Sequence, residues 1–156
     1  MKKLDTKYIV KAGVIAAIYF VVTILLGSIS YGPIQFRISE SLVILPMVEP
    51  AAIWGVFIGC FLANIGSPFG IVDILGGSLV TLIAAYLTSK SKVFYKGILP
   101  PIILNALIVS IWVSYFLKIP YYIVVVDIAI SEAIVTGIFG YVVLEVYKRL
   151  KDRYSL

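Results

Sequence analysis

Between Gln35 and Glu40 the chain reads Gln35-Phe36-Arg37-Ile38-Ser39-Glu40, which sets an amide, a guanidinium, a hydroxyl and a carboxylate among six residues. Long apolar runs lie on either side. Ionisable groups near or inside a bilayer are costly, so in such a setting they mark a ligand or ion pathway. The stretch also permits a plainer reading, because Arg37 and Glu40 are spaced i, i+3 and can pair on one helix face.

Other polar residues stand singly in apolar surroundings: Asn64, Asp73, Asn105, Asp127 and Glu132. Asp73 opens an apolar run, where a carboxylate suits a helix dipole as well as a ligand. Asn64, with Gly66 just beyond it, can cap a helix end. Asp127 is shallow enough to be solvated. Asn105 and Glu132 are harder to explain structurally. A carboxylate deep in an apolar run cannot snorkel to water and needs a partner, a proton or a cavity.

Some chemistry is excluded. The chain has no histidine, which removes Ser-His-Asp hydrolysis and His-ligated zinc sites. It has no G-x-x-x-x-G-K-[ST] phosphate loop and no mid-run lysine for a Schiff base. Its single cysteine, Cys60, sits in an apolar run and is expected to be a buried structural thiol. No enzyme activity, metal or cofactor is expected.

Composition names the solvent. Of 156 residues 62% are hydrophobic and 13% charged, and the mean hydropathy is +1.08. A soluble domain carries about 25% charged residues, so this chain cannot cover a water-facing surface. It reads as one membrane domain over residues 1–156. The net charge of +5 comes from basic residues that flank apolar runs. That pattern fixes orientation in a membrane, and no separate basic domain is present to hold nucleic acid. The first run is too long for a signal core and is read as an uncleaved helix.

Apolar segments cover Tyr8–Ser28, Glu40–Val48, Ala51–Ile65, Ile71–Ser89, Ile98–Leu117 and Ile123–Tyr147, separated by Gly, Pro and Lys breakers. With six spans and a cytoplasmic N-terminus, eleven of the thirteen Lys and Arg residues lie inside; with five spans, five do. The expected fold is therefore an all-α bundle of six transmembrane helices with both termini cytoplasmic. Its second helix is short and is expected to tilt, kink at Pro46 or enter from the outer loop. This topology gathers Gln35, Arg37, Glu40, Asn64, Asp73, Asn105 and Glu132 in the outer half, with Asn105 about 18 Å and Glu132 about 15 Å deep. Ala12 and Ala16, beside Gly13 and Ala17, form a small-residue strip that suits close approach by another helix, inside this chain or outside it.

Several blocks resemble the QueT family: Gly32-Pro33-Ile34-Gln35-Phe36-Arg37-Ile38-Ser39-Glu40, Ile58-Gly59-Cys60-Phe61-Leu62-Ala63-Asn64, Asp73-Ile74-Leu75-Gly76-Gly77-Ser78 and Leu104-Asn105-Ala106-Leu107-Ile108-Val109. The resemblance runs from about Lys7 to Leu150. It implies a substrate-binding S component of an energy-coupling factor (ECF) importer for queuosine precursors, in a prokaryotic plasma membrane. The implied partners are a transmembrane coupling protein, which meets the Ala12–Ala16 strip, and two ATPase subunits. The implied site is outward-facing, under the loop joining the first two helices. Ser131-Glu132-Ala133 stands where relatives often carry Gly-Glu-Ala, so the glutamate is kept.

For a 7-deazaguanine base the seven polar residues offer matching chemistry. One carboxylate accepts the adjacent ring and amino N–H groups, and Asn, Gln or Arg donates to the carbonyl. An aminomethyl substituent favours a second carboxylate, with Glu40, Asp73 and Glu132 as candidates. The alternatives are an S component for another vitamin-like substrate, an intramembrane enzyme using Glu132 and Asp127, and a ligand-free assembly protein.

Overall fold

A computed structural model describes residues 5–30 and 36–154, apart from the Ser28 side chain. Apolar runs of this kind must satisfy their backbone groups within the segment, and helices do so. Among the described residues six apolar helical rods of ten residues or more form: α1 (Thr6–Leu25), α2 (Ile38–Met47), α3 (Ala51–Asn64), α4 (Asp73–Ser89), α5 (Phe94–Leu117) and α6 (Tyr121–Tyr154). No strand occurs among the described residues. Asp5 accepts the Lys7 N–H at 3.2 Å and starts α1, while Pro50 and Pro120 occupy the N-caps of α3 and α6. The pair Pro100-Pro101 comes just after a break at Ile98 in α5, where missing N–H groups cost nothing.

Three rods, α1, α5 and α6, are long and apolar enough to cross a membrane. Their outward faces are greasy: Val14, Val21, Ile111, Ile130 and Val142 are all exposed. Polar side chains go inward instead, and Thr23, Asn64, Asp73, Thr81 and Thr136 are fully or almost fully buried. The bundle is apolar outside and carries polar groups within an otherwise apolar core.

The second helix is short, as expected, but its winding is 3-10 instead of α from Ile38 to Met47. A 3-10 helix rises about 2.0 Å per residue against 1.5 Å for an α-helix, so ten residues reach about 20 Å instead of about 15 Å. Extension offsets part of the shortness against a hydrocarbon core about 30 Å thick. Runs this long are uncommon because the hydrogen-bond geometry is poorer, and here the surroundings enforce it: every residue from Ser39 to Pro46 is buried.

Three residues per turn give α2 three stacked columns. Ser39, Leu42 and Leu45 face α1, where Ser39 Oγ lies 2.6 Å from Thr23 Oγ1 and Leu42 and Leu45 pack with Ile15 and Tyr19. Ile44 and Met47 press on Gly97 of α5, and Ser41 and Ile44 on Gly140 of α6. Glu40 and Val43 form the third column, toward α3 and α4.

The closest packing joins α1 to α3. A Cβ at Gly55 would come within 2.8 Å of Ile15 Cβ and 2.9 Å of the Ala12 carbonyl oxygen; one at Gly59 would meet Tyr19 Cβ at 2.7 Å and the Ala16 carbonyl at 2.8 Å. Only glycine fits. Ala12 and Ala16 are accordingly buried against α3, the internal one of the two contacts that their strip permits. The outward small residues of α1 are Gly13 and Ala17, both exposed.

At the other end of α2 a polar clamp holds the turn into α3. Glu49 Oε2 accepts Lys11 Nζ at 2.6 Å and Tyr147 Oη at 2.6 Å, and its Oε1 accepts the Ala51 N–H at 3.3 Å. Lys151 Nζ donates to the Val48 carbonyl at 2.9 Å. Burial pushes the Glu49 carboxyl up, but the hydrogen bonds from Lys11, Tyr147 and Ala51 outweigh it and hold the group below its ordinary value.

Candidate functional site

Arg37, Glu40, Asp73, Asn105 and Glu132 line one cavity together with Gly77, Thr81, Val109 and Ile128. Five of the seven residues expected to bind a ligand thus converge from α2, α4, α5 and α6. Asn64 lies behind this wall, and Gln35 falls outside the described residues. Asp127 does not line the cavity.

Local backbone irregularity accompanies three of these side chains. Asp73 and Asn105 each open a π-helical turn, Asp73–Gly77 and Asn105–Val109, and Glu132 lies just before a third, Val135–Phe139. A π turn inserts one residue into an α-helix and re-aims the side chains beyond it; such turns gather at functional sites. The carbonyls they disturb find hydroxyl partners. Ser78 Oγ donates to the Ile74 carbonyl at 2.6 Å, Thr136 Oγ1 to the Glu132 carbonyl at 2.6 Å, and Tyr121 Oη to the Leu107 carbonyl at 2.7 Å. Hydroxyl side chains of this kind re-satisfy freed backbone groups in apolar surroundings.

The three carboxylates differ in how they are held. Asp73 is the most fully engaged: Oδ2 accepts Ser67 Oγ at 2.6 Å and Oδ1 accepts Trp112 Nε1 at 3.2 Å. Asn64 fastens the same residue by its backbone, donating Nδ2 to the Asp73 carbonyl at 2.8 Å. Asn64 is therefore a positioning residue. Glu40 accepts the Tyr19 hydroxyl on Oε1, while its Oε2 has no hydrogen-bond partner among the described residues. Glu132 accepts Asn105 Nδ2 on Oε1 at 2.9 Å, and its Oε2 likewise has no described partner.

Arg37 lies between two of them. Its Nη1 is 3.9 Å from Glu40 Oε1 and its Nη2 is 3.8 Å from Asp73 Oδ2. Both distances exceed a good hydrogen bond, so these contacts are charge pairing more than direct bonding. Nη1 also approaches Cys60 Sγ at 3.7 Å, and Cys60 is buried as expected. Among the described residues the lining therefore carries three carboxylates and one cation, and acceptors outnumber donors.

The enclosed volume is about 20 Å³, room for roughly one water. A larger ligand has to part these side chains.

Sequence reasoning misses Tyr19, Ser67 and Thr81, which hold or line the site. Tyr19 and Thr81 look like ordinary apolar-run residues. A tryptophan in Trp112's setting more often serves the membrane interface or packing than a site. Each is recognisable only once its partner is placed.

Comparison with known proteins points the same way. The chain is 44% identical over 85 residues to the protein named "Queuosine precursor transporter QueT" from Lactococcus lactis subsp. cremoris (strain MG1363). The match covers 53% of this chain and 50% of that protein, so the likeness spans about half the length of the curated relative. No solved structure matches the chain significantly. The family profile described as "QueT transporter" matches residues 9–149. With that profile extending over nearly all of a multi-pass helical bundle that buries its polar residues, the chain belongs to the QueT family of membrane transporters.

Proposed function

We propose that the chain is the substrate-binding membrane subunit of an ECF-type importer and captures a queuosine precursor, a 7-deazaguanine base, in the cavity between Arg37 and Glu132. The observation that carries this reading is the surplus of buried acceptors. Glu40 Oε2 and Glu132 Oε2 are buried without a described partner, and leaving such a group unpaired costs about 1–3 kcal/mol or more for a charged one. A ligand rich in N–H donors relieves that cost on binding. A 7-deazaguanine presents two adjacent N–H donors beside one carbonyl, which a carboxylate and a neighbouring guanidinium complement.

In this reading both termini are cytoplasmic, the cavity opens outward, and the chain works with a transmembrane coupling protein and two ATPases. The small exposed pair Gly13 and Ala17 on α1 replaces Ala12 and Ala16 as the coupling face, since small residues allow helices to approach closely in lipid.

Calorimetry on the purified chain, without ATP, tests the substrate. Saturable one-to-one binding of 7-aminomethyl-7-deazaguanine or queuine is expected. Absence of binding to any deazapurine, with tight binding of an unrelated vitamin, overturns the substrate and leaves the transporter architecture standing.

A further inference from the structure

We propose that the cavity divides its ligand between two unlike carboxylates: Glu40 with Arg37 reads the ring edge, and Glu132 with Asn105 receives a positive charge on the seven-substituent. This rests on the queuosine-precursor reading above and adds to it the charge of the ligand and its orientation.

The partners of each carboxylate separate their roles. Asp73 has both oxygens engaged, by Ser67, Trp112 and the Arg37 guanidinium, so it anchors Arg37 and has little left for a ligand. Glu40 keeps one oxygen without a described partner and has Arg37 Nη1 3.9 Å from the other. An acceptor beside a donor is the complement of a ring edge that offers N–H, N–H and C=O in sequence. Arg37, shared with Asp73, already offsets part of the charge of Glu40, so what Glu40 gains from a ligand is mainly hydrogen bonding.

Glu132 is placed differently. It is 8% exposed, and its described hydrogen bond comes from a neutral amide, Asn105 Nδ2. The described residues bring no cation within ion-pair distance of it. Its described hydrogen-bond partner is neutral and the Arg37 guanidinium acts on it only from beyond ion-pair distance, which is a costly setting for a buried carboxylate. A neutral N–H supplies its free oxygen with a hydrogen bond, whereas an ammonium supplies the bond and cancels the charge. Glu132 on α6 and Glu40 on α2 line the same cavity, so one ligand can meet both. A primary amine on the ligand is protonated at neutral pH, as a lysine is.

The division is read by comparing two bases with the same ring: 7-aminomethyl-7-deazaguanine, a cation, and 7-cyano-7-deazaguanine, which is neutral. Calorimetry on the full chain in lipid nanodiscs is expected to show the wild type binding the cation about ten- to hundred-fold more tightly, the value of one charge-assisted hydrogen bond. Glu132→Gln is expected to weaken the aminomethyl base by that factor and leave the cyano base within about three-fold, which erases the preference. Glu40→Gln is expected to weaken both. Equal wild-type affinity for the two bases overturns the division while the function reading stands, and this comparison needs no variant. Equal weakening of both bases by Glu132→Gln, or loss of the preference in Glu40→Gln, also overturns it. A wild type that binds neither base, nor queuine, overturns the substrate reading and the division together.

Discussion

The Tyr19 hydroxyl on α1 donates to Glu40 on α2, and the Tyr19 ring stands where Gly59 of α3 lets the backbones close up. Helix packing and ligand chemistry therefore meet in one side chain. Tyr19→Phe keeps the ring and removes the donor. It should lower unfolding stability by about 1–3 kcal/mol, the cost of an unpaired buried acceptor, and denaturant titration in detergent measures it. An unchanged midpoint would show that Glu40 finds another donor.

The glycines of α1 and α3 should behave in opposite ways. Gly59→Ala forces a contact of 2.7 Å with Tyr19 Cβ and 2.8 Å with a backbone oxygen that cannot swing aside, so a loss of about 1–3 kcal/mol is expected. Gly13→Ala meets nothing within 4 Å and should leave the isolated chain as stable or up to about 1 kcal/mol better. If Gly13 lies on the coupling face, uptake in cells falls while ligand affinity of the isolated chain holds. Melting curves and uptake assays on the two variants separate these outcomes.

The buried carboxylates give a second contrast. Asp73→Asn puts an N–H among donors from Ser67, Trp112 and Arg37 and should destabilise by about 1–3 kcal/mol. Glu132→Gln removes a buried carboxyl whose described hydrogen bond comes from an amide and should leave ligand-free stability equal or improved. Thermal unfolding without ligand compares them directly.

The Glu49 clamp predicts a pH dependence. Its carboxyl is held below the ordinary value in the folded chain, so folding favours the ionised form. The contribution is present above the unfolded value, about 4.3, and disappears as pH falls through the lower folded one. Glu49→Gln should flatten the stability profile in that acid range and cost about 1–3 kcal/mol at neutral pH. A profile as steep as wild type would assign the acid transition to other groups.

Much of the architecture was legible because membrane helices announce themselves by run length and flanking charge. Six apolar segments became six rods, and Pro50, Pro100-Pro101 and Pro120 sit at starts or beside breaks. The polar singles were legible for the same reason: Arg37, Glu40, Asp73, Asn105 and Glu132 stand out against apolar neighbours, and they share a cavity. Geometry within the rods was not legible. The π turns after Asp73 and Asn105 and the 3-10 winding of α2 arise from the elements packed around them, which no local propensity encodes. The strip on helix 1 was ambiguous by nature. Ala12 and Ala16 suit any close helix, and only the facing Gly55 and Gly59 decide that it is α3.

The three-column form of α2 bears on how the gene can change. Each side of this prism meets a different neighbour, and every residue from Ser39 to Pro46 is buried. Deleting one codon would rotate all later residues by about 120° and set each column against the wrong helix. Removing three codons in frame would preserve the columns but shorten the rod by about 6 Å, pulling the Glu40 end toward the Glu49 clamp. Substitutions that keep volume can accumulate along α2, whereas its length has almost no freedom to drift.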